Sequence, residues 1–224
     1  MRTCALIPAF NEASYIAAVV EATKRHVEKV VVIDDGSRDG TAEIAEAAGA
    51  MCLRSRSNRG KASALHTGIA FAHAQNFTHV VTLDGDGQHL PEDIPAMIRV
   101  AEETGAQLVI GARAFDRARM PRARFYSNTI GSRVASWLVG REILDSQCGF
   151  RLLQLDRLCA LQLRSRRYEF EMEVLIKMAR SGCAIAHAPV RMVYDDGHAR
   201  SKMKPVRDTV RICLWSVAYR FLGA

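Results

Sequence analysis

Asp84-Gly85-Asp86 places two carboxylates one residue apart, directly after the apolar run Val80-Val81-Thr82-Leu83. A short β-branched and aliphatic run of this kind reads as a buried strand. Two aspartates at the exposed end of such a strand form a hard-oxygen site suited to Mg²⁺ or Mn²⁺, with substrate phosphates and water completing the shell. Gln88 and His89 follow within reach. A metal held there would neutralise a diphosphate leaving group.

Other polar clusters recur along the chain at comparable places. Pro8-Ala9-Phe10-Asn11-Glu12 follows a first apolar run, and Pro8 is expected to end its pairing. Asn11 and Glu12 can serve a base or ribose, or simply cap a helix. Asp34-Asp35-Gly36-Ser37-Arg38-Asp39-Gly40-Thr41 follows a second run. Its carboxylates can accept from a nucleoside or help orient a metal. Asp35, Ser37, Asp39, Gly40 and Glu46 also approximate a calcium-binding EF-hand loop. That loop needs a preceding helix, whereas Lys29-Val30-Val31-Val32-Ile33 is β-branched and reads as a strand. Asn58-Arg59-Gly60-Lys61 precedes a helix, so Arg59 or Lys61 can reach a phosphate near its N-terminus; otherwise it is a basic helix cap.

Gly111-Ala112-Arg113 opens an arginine-rich segment that continues with Arg117, Arg119, Arg122 and Arg124. Each guanidinium is either a phosphate fork or a solvated surface charge. Asp145-Ser146-Gln147-Cys148-Gly149-Phe150-Arg151 suggests an acceptor wall, with Asp145 facing the reaction centre. Glu169 and Glu173 share a helix face, and Glu171 points elsewhere. His198-Ala199-Arg200-Ser201-Lys202 reads as a mobile basic loop, suited to a lid or to a plain linker.

The elements that position these groups alternate. Strands are expected at Cys4–Pro8, Lys29–Asp34, Cys52–Arg54, Thr78–Leu83, Gln107–Gly111 and Ala184–Tyr194. Helices are expected at Asn11–Arg25, Thr41–Ala48, Lys61–Gln75, Pro91–Thr104, Phe125–Arg141, Tyr168–Arg180 and Val206–Leu222, with a loop over Ala114–Arg124. This order implies an α/β fold with a doubly wound, mainly parallel sheet and a C-terminal helical extension. Ligands then bind outside the carboxyl ends of the strands. The expected division is one domain over residues 1–204 and a C-terminal amphipathic helix over 205–224.

The 224 residues are 49% hydrophobic and 25% charged, ordinary for a globular chain. No apolar run is long enough to span a bilayer. The opening residues read as a strand rather than a leader, so a cytoplasmic location is expected. The six cysteines show no metal-ligand spacing and read as reduced core thiols. The net charge of +7 suits acidic lipid or phosphorylated substrates, and no nucleic-acid-binding motif accompanies it.

Taken in order, PAFNE, DDGSRDGT, NRGK, DGDGQH, GAR, DSQCGFR and ARSK resemble a family 2 glycosyltransferase of the GT-A fold. The likeness is nearest to the dolichyl- or polyprenyl-phosphate sugar transferases and covers roughly positions 4 to 210. It implies inverting transfer from a nucleotide-diphosphate sugar to a lipid phosphate. Pro8, Asn11, Glu12, Asp34, Asp35, Lys61 and Asp84 would hold the nucleotide. Asp84, Asp86 and Gln88 would hold Mg²⁺ or Mn²⁺. Arg113, Arg122, Arg200 and Lys202 would bind phosphates, with Asp86, Asp145 and Arg124 catalytic. A hydroxyl acceptor would need a base, for which Asp145 is the candidate; a phosphate acceptor would not. The QxxRW motif of processive synthases is absent, which implies single additions. Arg207, Arg211 and Arg220 interleaved with Val210, Leu214, Trp215, Val217 and Phe221 form either an interfacial helix on the inner face of a membrane or a core-packing one. Trp137 and Leu138 offer a second surface contact. A sugar-1-phosphate nucleotidyltransferase is disfavoured, because Ala9-Phe10-Asn11-Glu12 stands where a glycine-rich basic loop belongs. A non-catalytic nucleotide or Ca²⁺ sensor is the alternative from another class.

Overall fold

In the computed structural model, residues 1–113, 122–165 and 169–193 are described. The elements are β1 (Thr3–Ala9), α1 (Ile16–Thr23), β2 (Lys29–Asp34), α2 (Thr41–Ala47), β3 (Met51–Arg54), α3 (Lys61–Ala74), β4 (His79–Thr82), a 3₁₀ turn (Pro91–Asp93), α4 (Ile94–Thr104), β5 (Leu108–Arg113), α5 (Arg122–Val139), β6 (Arg151–Gln154), α6 (Leu155–Cys159), α7 (Phe170–Arg180) and β7 (Ile185–Val190). The strands form one sheet in the order β3-β2-β1-β4-β6-β5-β7.

Six strands run in one direction, and β6 alone runs against its neighbours β4 and β5. The fully apolar runs of β1, β2, β4 and β5 are buried, as expected for strands covered on both faces. β1 passes through Pro8 to Ala9 on the β2 side, while its pairing with β4 stops at Leu6. Pro8 therefore does not end the strand. It sits where only one edge still needs hydrogen bonds.

β6 was not expected. Arg151-Leu152-Leu153-Gln154 is short and follows a polar loop, so its alternation is too brief to register as a strand. Its antiparallel sense has a direct consequence. Arg151 lies opposite Thr82 and Ile110, near the carboxyl ends of β4 and β5. The loop 145–150 therefore enters the sheet at the edge where the other strands deliver their loops.

Two helix starts also differ. Asn11 has a φ of 53°, and α1 begins only at Ile16 after a turn in which the Glu12 carbonyl accepts from Tyr15 and Ile16. α5 begins at Arg122 rather than Phe125. The expected helix over 205–224 lies outside the described residues.

Ile7 is fully buried in β1, which pairs with β2 on one side and β4 on the other. Ile7→Ala is expected to lower the unfolding free energy by about 2–5 kcal/mol. The urea midpoint measures this; an unchanged midpoint would mean that β1 is not the packed centre.

Candidate active site

Three loops at the strand ends are tied to each other through side chain to backbone bonds. The Asn11 amide donates to Ser37 Oγ at 2.9 Å, and Asn11 Oδ1 accepts from the Arg38 amide at 3.0 Å. Glu12 N–H donates to Thr41 Oγ1 at 2.9 Å, and Ala13 N–H to Asp39 Oδ2 at 3.1 Å. Asp35 accepts from the amides of Arg59 at 2.8 Å and Gly60 at 2.7 Å, one per oxygen. Asp34 accepts from Ser37 N–H. Asp35 thus fixes the third loop, and α3 with it, instead of presenting an uncommitted carboxylate. Gly36, with φ of 81°, packs so tightly on Ser57 that a Cβ would come within 2.9 Å of its backbone.

α3 then delivers Lys61 into the centre of the site. Its Nζ lies 2.6 Å from Asp84 and 2.9 Å from Glu171, which comes from the first turn of α7. Burial pulls the Lys61 ammonium toward neutrality, but the two carboxylates outweigh it and keep Lys61 firmly charged. Gly149 forms the floor: a Cβ there would meet Lys61 Nζ at 2.7 Å and Asp84 Oδ2 at 3.2 Å. Any side chain at 149 would displace the lysine.

Asp84 and Asp86 respond oppositely to one environment. Burial raises both, yet for Asp84 the Lys61 charge and its neighbours overcome burial and hold the carboxyl below its usual range. Asp86 is pushed up to about 6 by burial and by the Asp84 charge, with the Gln88 amide opposing at 3.0 Å. Two adjacent oxygen donors, one short of compensating positive charge, are the set a divalent cation relieves. Among the described residues no group of three His, Cys, Asp or Glu could hold a metal. A Mg²⁺ or Mn²⁺ here would rely on these carboxylates plus substrate oxygens, which is the usual pattern for that class of site. The residues fit the ion.

Gln88 closes the loop through its backbone, its carbonyl accepting from Val193 N–H at 3.0 Å. His89 is buried against Phe150 and paired in a β-bridge with Met192. Burial drives its imidazole down to about 4, so at neutral pH it stands uncharged 3.8 Å from Asp84.

Asp145 departs from its expected place facing a reaction centre. It is 0% exposed and takes a two-pronged bond from Arg113, Nε at 2.5 Å and Nη2 at 2.9 Å. The amides of Gln147 and Cys148 also donate to it. A carboxylate so enclosed orients Arg113. Arg122 and Arg124 stand in the first turn of α5. Their side chains, along with Arg200, Lys202 and residues 205–224, lie outside the described residues.

The sequence reading missed two residues here. Glu171 points away from the face shared by Glu169 and Glu173, and that direction is where the site lies. Glu173 is buried and accepts from the amides of Arg164 and Ser165. Arg151, 1% exposed, donates to the carbonyls of Ser146 at 2.7 Å, Cys148 at 2.8 Å and Glu171 at 2.6 Å. It binds the Asp145 loop to the start of α7. The signal was an arginine directly before two leucines, a charge in an otherwise core-like run.

The model of the family described as glycosyl transferase family 2 matches residues 4–156. The chain belongs to that family. This family 2 glycosyltransferase resembles the polyprenyl-phosphate sugar transferases. It is 28% identical to a UDP-N-acetylglucosamine–dolichyl-phosphate N-acetylglucosaminyltransferase of Methanococcus voltae, over 85% of each chain. It is 27% identical to an undecaprenyl-phosphate mannosyltransferase of Micrococcus luteus, over 100% of this chain and 97% of that one. In structure it matches glucosyl-3-phosphoglycerate synthase from Mycobacterium tuberculosis, solved with Mn²⁺, UDP-glucose and phosphoglyceric acid. The TM-score is 0.74 at 21% identity, covering 97% of this chain and 79% of that one. That likeness carries the fold, which is GT-A.

Because the folded pKa of Asp86 lies above its unfolded value, its contribution to stability is present at low pH and lost as pH rises through about 6. In metal-free buffer, Asp86→Asn is therefore expected to melt above the wild type at pH 7.5, and the gap to narrow as pH falls through about 6 and to close below about 4. Melting curves in a chelator measure this. A wild type that melts higher at pH 7.5 would contradict the strained carboxylate.

Proposed function

We propose that this glycosyltransferase moves one sugar, with inversion, from a nucleotide-diphosphate sugar to a polyprenyl phosphate at the inner membrane surface. The observation that carries the reading is how the site's carboxylates are engaged. Asp145 is enclosed by Arg113, and Glu171 shares Lys61 with Asp84. A hydroxyl acceptor needs a carboxylate that can take its proton. A phosphate monoester arrives already anionic and needs cationic guidance instead. The Methanococcus dolichyl-phosphate N-acetylglucosaminyltransferase and the Micrococcus undecaprenyl-phosphate mannosyltransferase support the same acceptor class.

In this reading Pro8, Asn11, Glu12 and Asp34 line the nucleoside pocket whose shape Asp35 maintains. Asp84 and Asp86, with Gln88 beside them, hold the metal. The Mn²⁺-bound Mycobacterium structure supports a divalent ion in this fold. When bound, Mg²⁺ or Mn²⁺ neutralises charge developing on the leaving diphosphate. Lys61 adds a fixed positive charge deep in the site and keeps Asp84 ionised. Arg113, aligned by Asp145, presents a preorganised cation toward the acceptor side, with Arg122, Arg124, Arg200 and Lys202 completing the phosphate cradle. The acceptor phosphate oxygen attacks the anomeric carbon from the face opposite the diphosphate, so one bond forms as the other breaks and no proton is transferred.

The test is transfer from radiolabelled UDP- and GDP-hexoses to a short-chain polyprenyl phosphate with Mn²⁺, followed by NMR of the product anomer. We expect inversion with one donor base, and a loss of about 100-fold or more in Asp86→Ala, which keeps its fold. Full activity in Asp86→Ala would overturn the metal site. Transfer to hydroxyl acceptors alone would overturn the lipid-phosphate assignment.

A further inference from the structure

Six large apolar side chains are exposed among the described residues: Met1, Met51, Tyr126, Ile130, Trp137 and Leu144. Four of them lie on α5 or the turn after it. Tyr126, Ile130, Arg133 and Trp137 recur at helical spacing, so they form one stripe. The stripe runs for about 16 Å along the helix. Tyr126 is 49% exposed, Ile130 54%, Trp137 61% and Leu144 46%.

The opposite face of α5 is fastened to the active site. Ser146 N–H donates to Ser132 Oγ at 3.1 Å, Ile143 N–H to Ser136 Oγ at 2.9 Å, and Gln147 Nε2 to the Ser127 carbonyl at 3.5 Å. At Gly131 a Cβ would meet Gln147 Nε2 at 2.7 Å, so helix and loop approach too closely for a side chain there. The same helix thus grips the loop that carries Asp145 on one side and shows aromatic and aliphatic groups to the outside on the other.

The charge of this segment selects among partners. From residue 122 to 144 there are four arginines, Arg122, Arg124, Arg133 and Arg141, and one acid, Glu142. Arg133 stands exposed within the stripe and no acid occurs from residue 122 to 141, so a second copy of this face would offer it no carboxylate. An anionic bilayer surface meets the arginines with opposite charge, and its interfacial zone accepts Tyr and Trp, whose rings are apolar with a polar tip.

We propose that the outer face of α5, together with Leu144, docks the enzyme flat on an anionic lipid bilayer. The inference deepens the lipid-acceptor reading and rests on it for its purpose. A lipid phosphate leaving the headgroup layer would then meet Arg113 and the loop behind α5 without the lipid tail crossing water. α5 lies in the interface and does not span: among the described residues no helix is long and apolar enough to cross a membrane.

The test is co-sedimentation of the full chain with phosphatidylcholine vesicles, with and without phosphatidylglycerol, in the absence of substrate. We expect binding that requires the anionic lipid and weakens in 0.5 M salt. The double variant I130S/W137S should partition about tenfold or more less well. R133E should bind less and lose part of the salt dependence. Both variants should melt like the wild type and transfer sugar to a detergent-dispersed short-chain acceptor at the wild-type rate. Unchanged partitioning of I130S/W137S would overturn the proposal, as would a variant that dissociates a dimer while vesicle binding stays the same. Transfer without vesicle binding would sink the docking face and leave the activity standing. Stripe-dependent vesicle binding without transfer would support the docking face and sink the lipid-acceptor reading.

Discussion

Asp84 and Asp86 carry like charges one residue apart in a half-buried loop, and most of the surrounding architecture answers that repulsion. Lys61 neutralises one side, but only because Asp35 clamps Gly60 and sets where α3 begins. Gly149 leaves room for the ammonium, and Glu171 holds it from behind. Asp86 has no share in that lysine bridge, and its carboxyl stays near half-protonation at mildly acidic pH. A site that concentrates negative charge and compensates half of it has the electrostatics that a divalent cation would relieve.

The antiparallel strand β6 solves a related problem of geometry. A purely parallel sheet brings only the segments after its strands to the ligand edge. By reversing one strand, the chain brings the segment before β6 there as well, and with it Asp145 and Gly149. Arg151 holds this arrangement with three carbonyls, a buried charge spent on backbone oxygens. Burial pulls its guanidinium below the ordinary value, so enclosing it is costly, and the gain is a rigid link between the Asp145 loop and α7.

Much of this was legible in the chain. The runs at Lys29–Asp34 and Gln107–Gly111 announce themselves through β-branched and aliphatic density, and the turn chemistry around Gly36, Gly40 and Gly60 marks where loops must open. The acidic pair was visible because two carboxylates one residue apart follow a buried strand in company with other polar clusters at comparable strand ends. What the sequence hid were long-range partners. Asp145 looks like an exposed acid until Arg113 is seen lying across it. Glu171 looks like one of three equivalent glutamates until α7 is docked, when a step of two residues, about half a turn, sends it to Lys61 and Glu173 into the core. β6 was invisible for a different reason: four residues contain too little periodicity, and only the sheet says that they pair.

The central claim is that nucleotide, metal and the acidic pair form one site. Isothermal titration of the protein with UDP and GDP, each with Mn²⁺ and with chelator, tests it most directly, with Asp86→Asn in parallel. The account predicts that one nucleotide binds the wild type at least tenfold more tightly with Mn²⁺, and that Asp86→Asn loses this dependence on the metal. Equal affinity with and without Mn²⁺, or a variant that keeps the full metal effect, would contradict it.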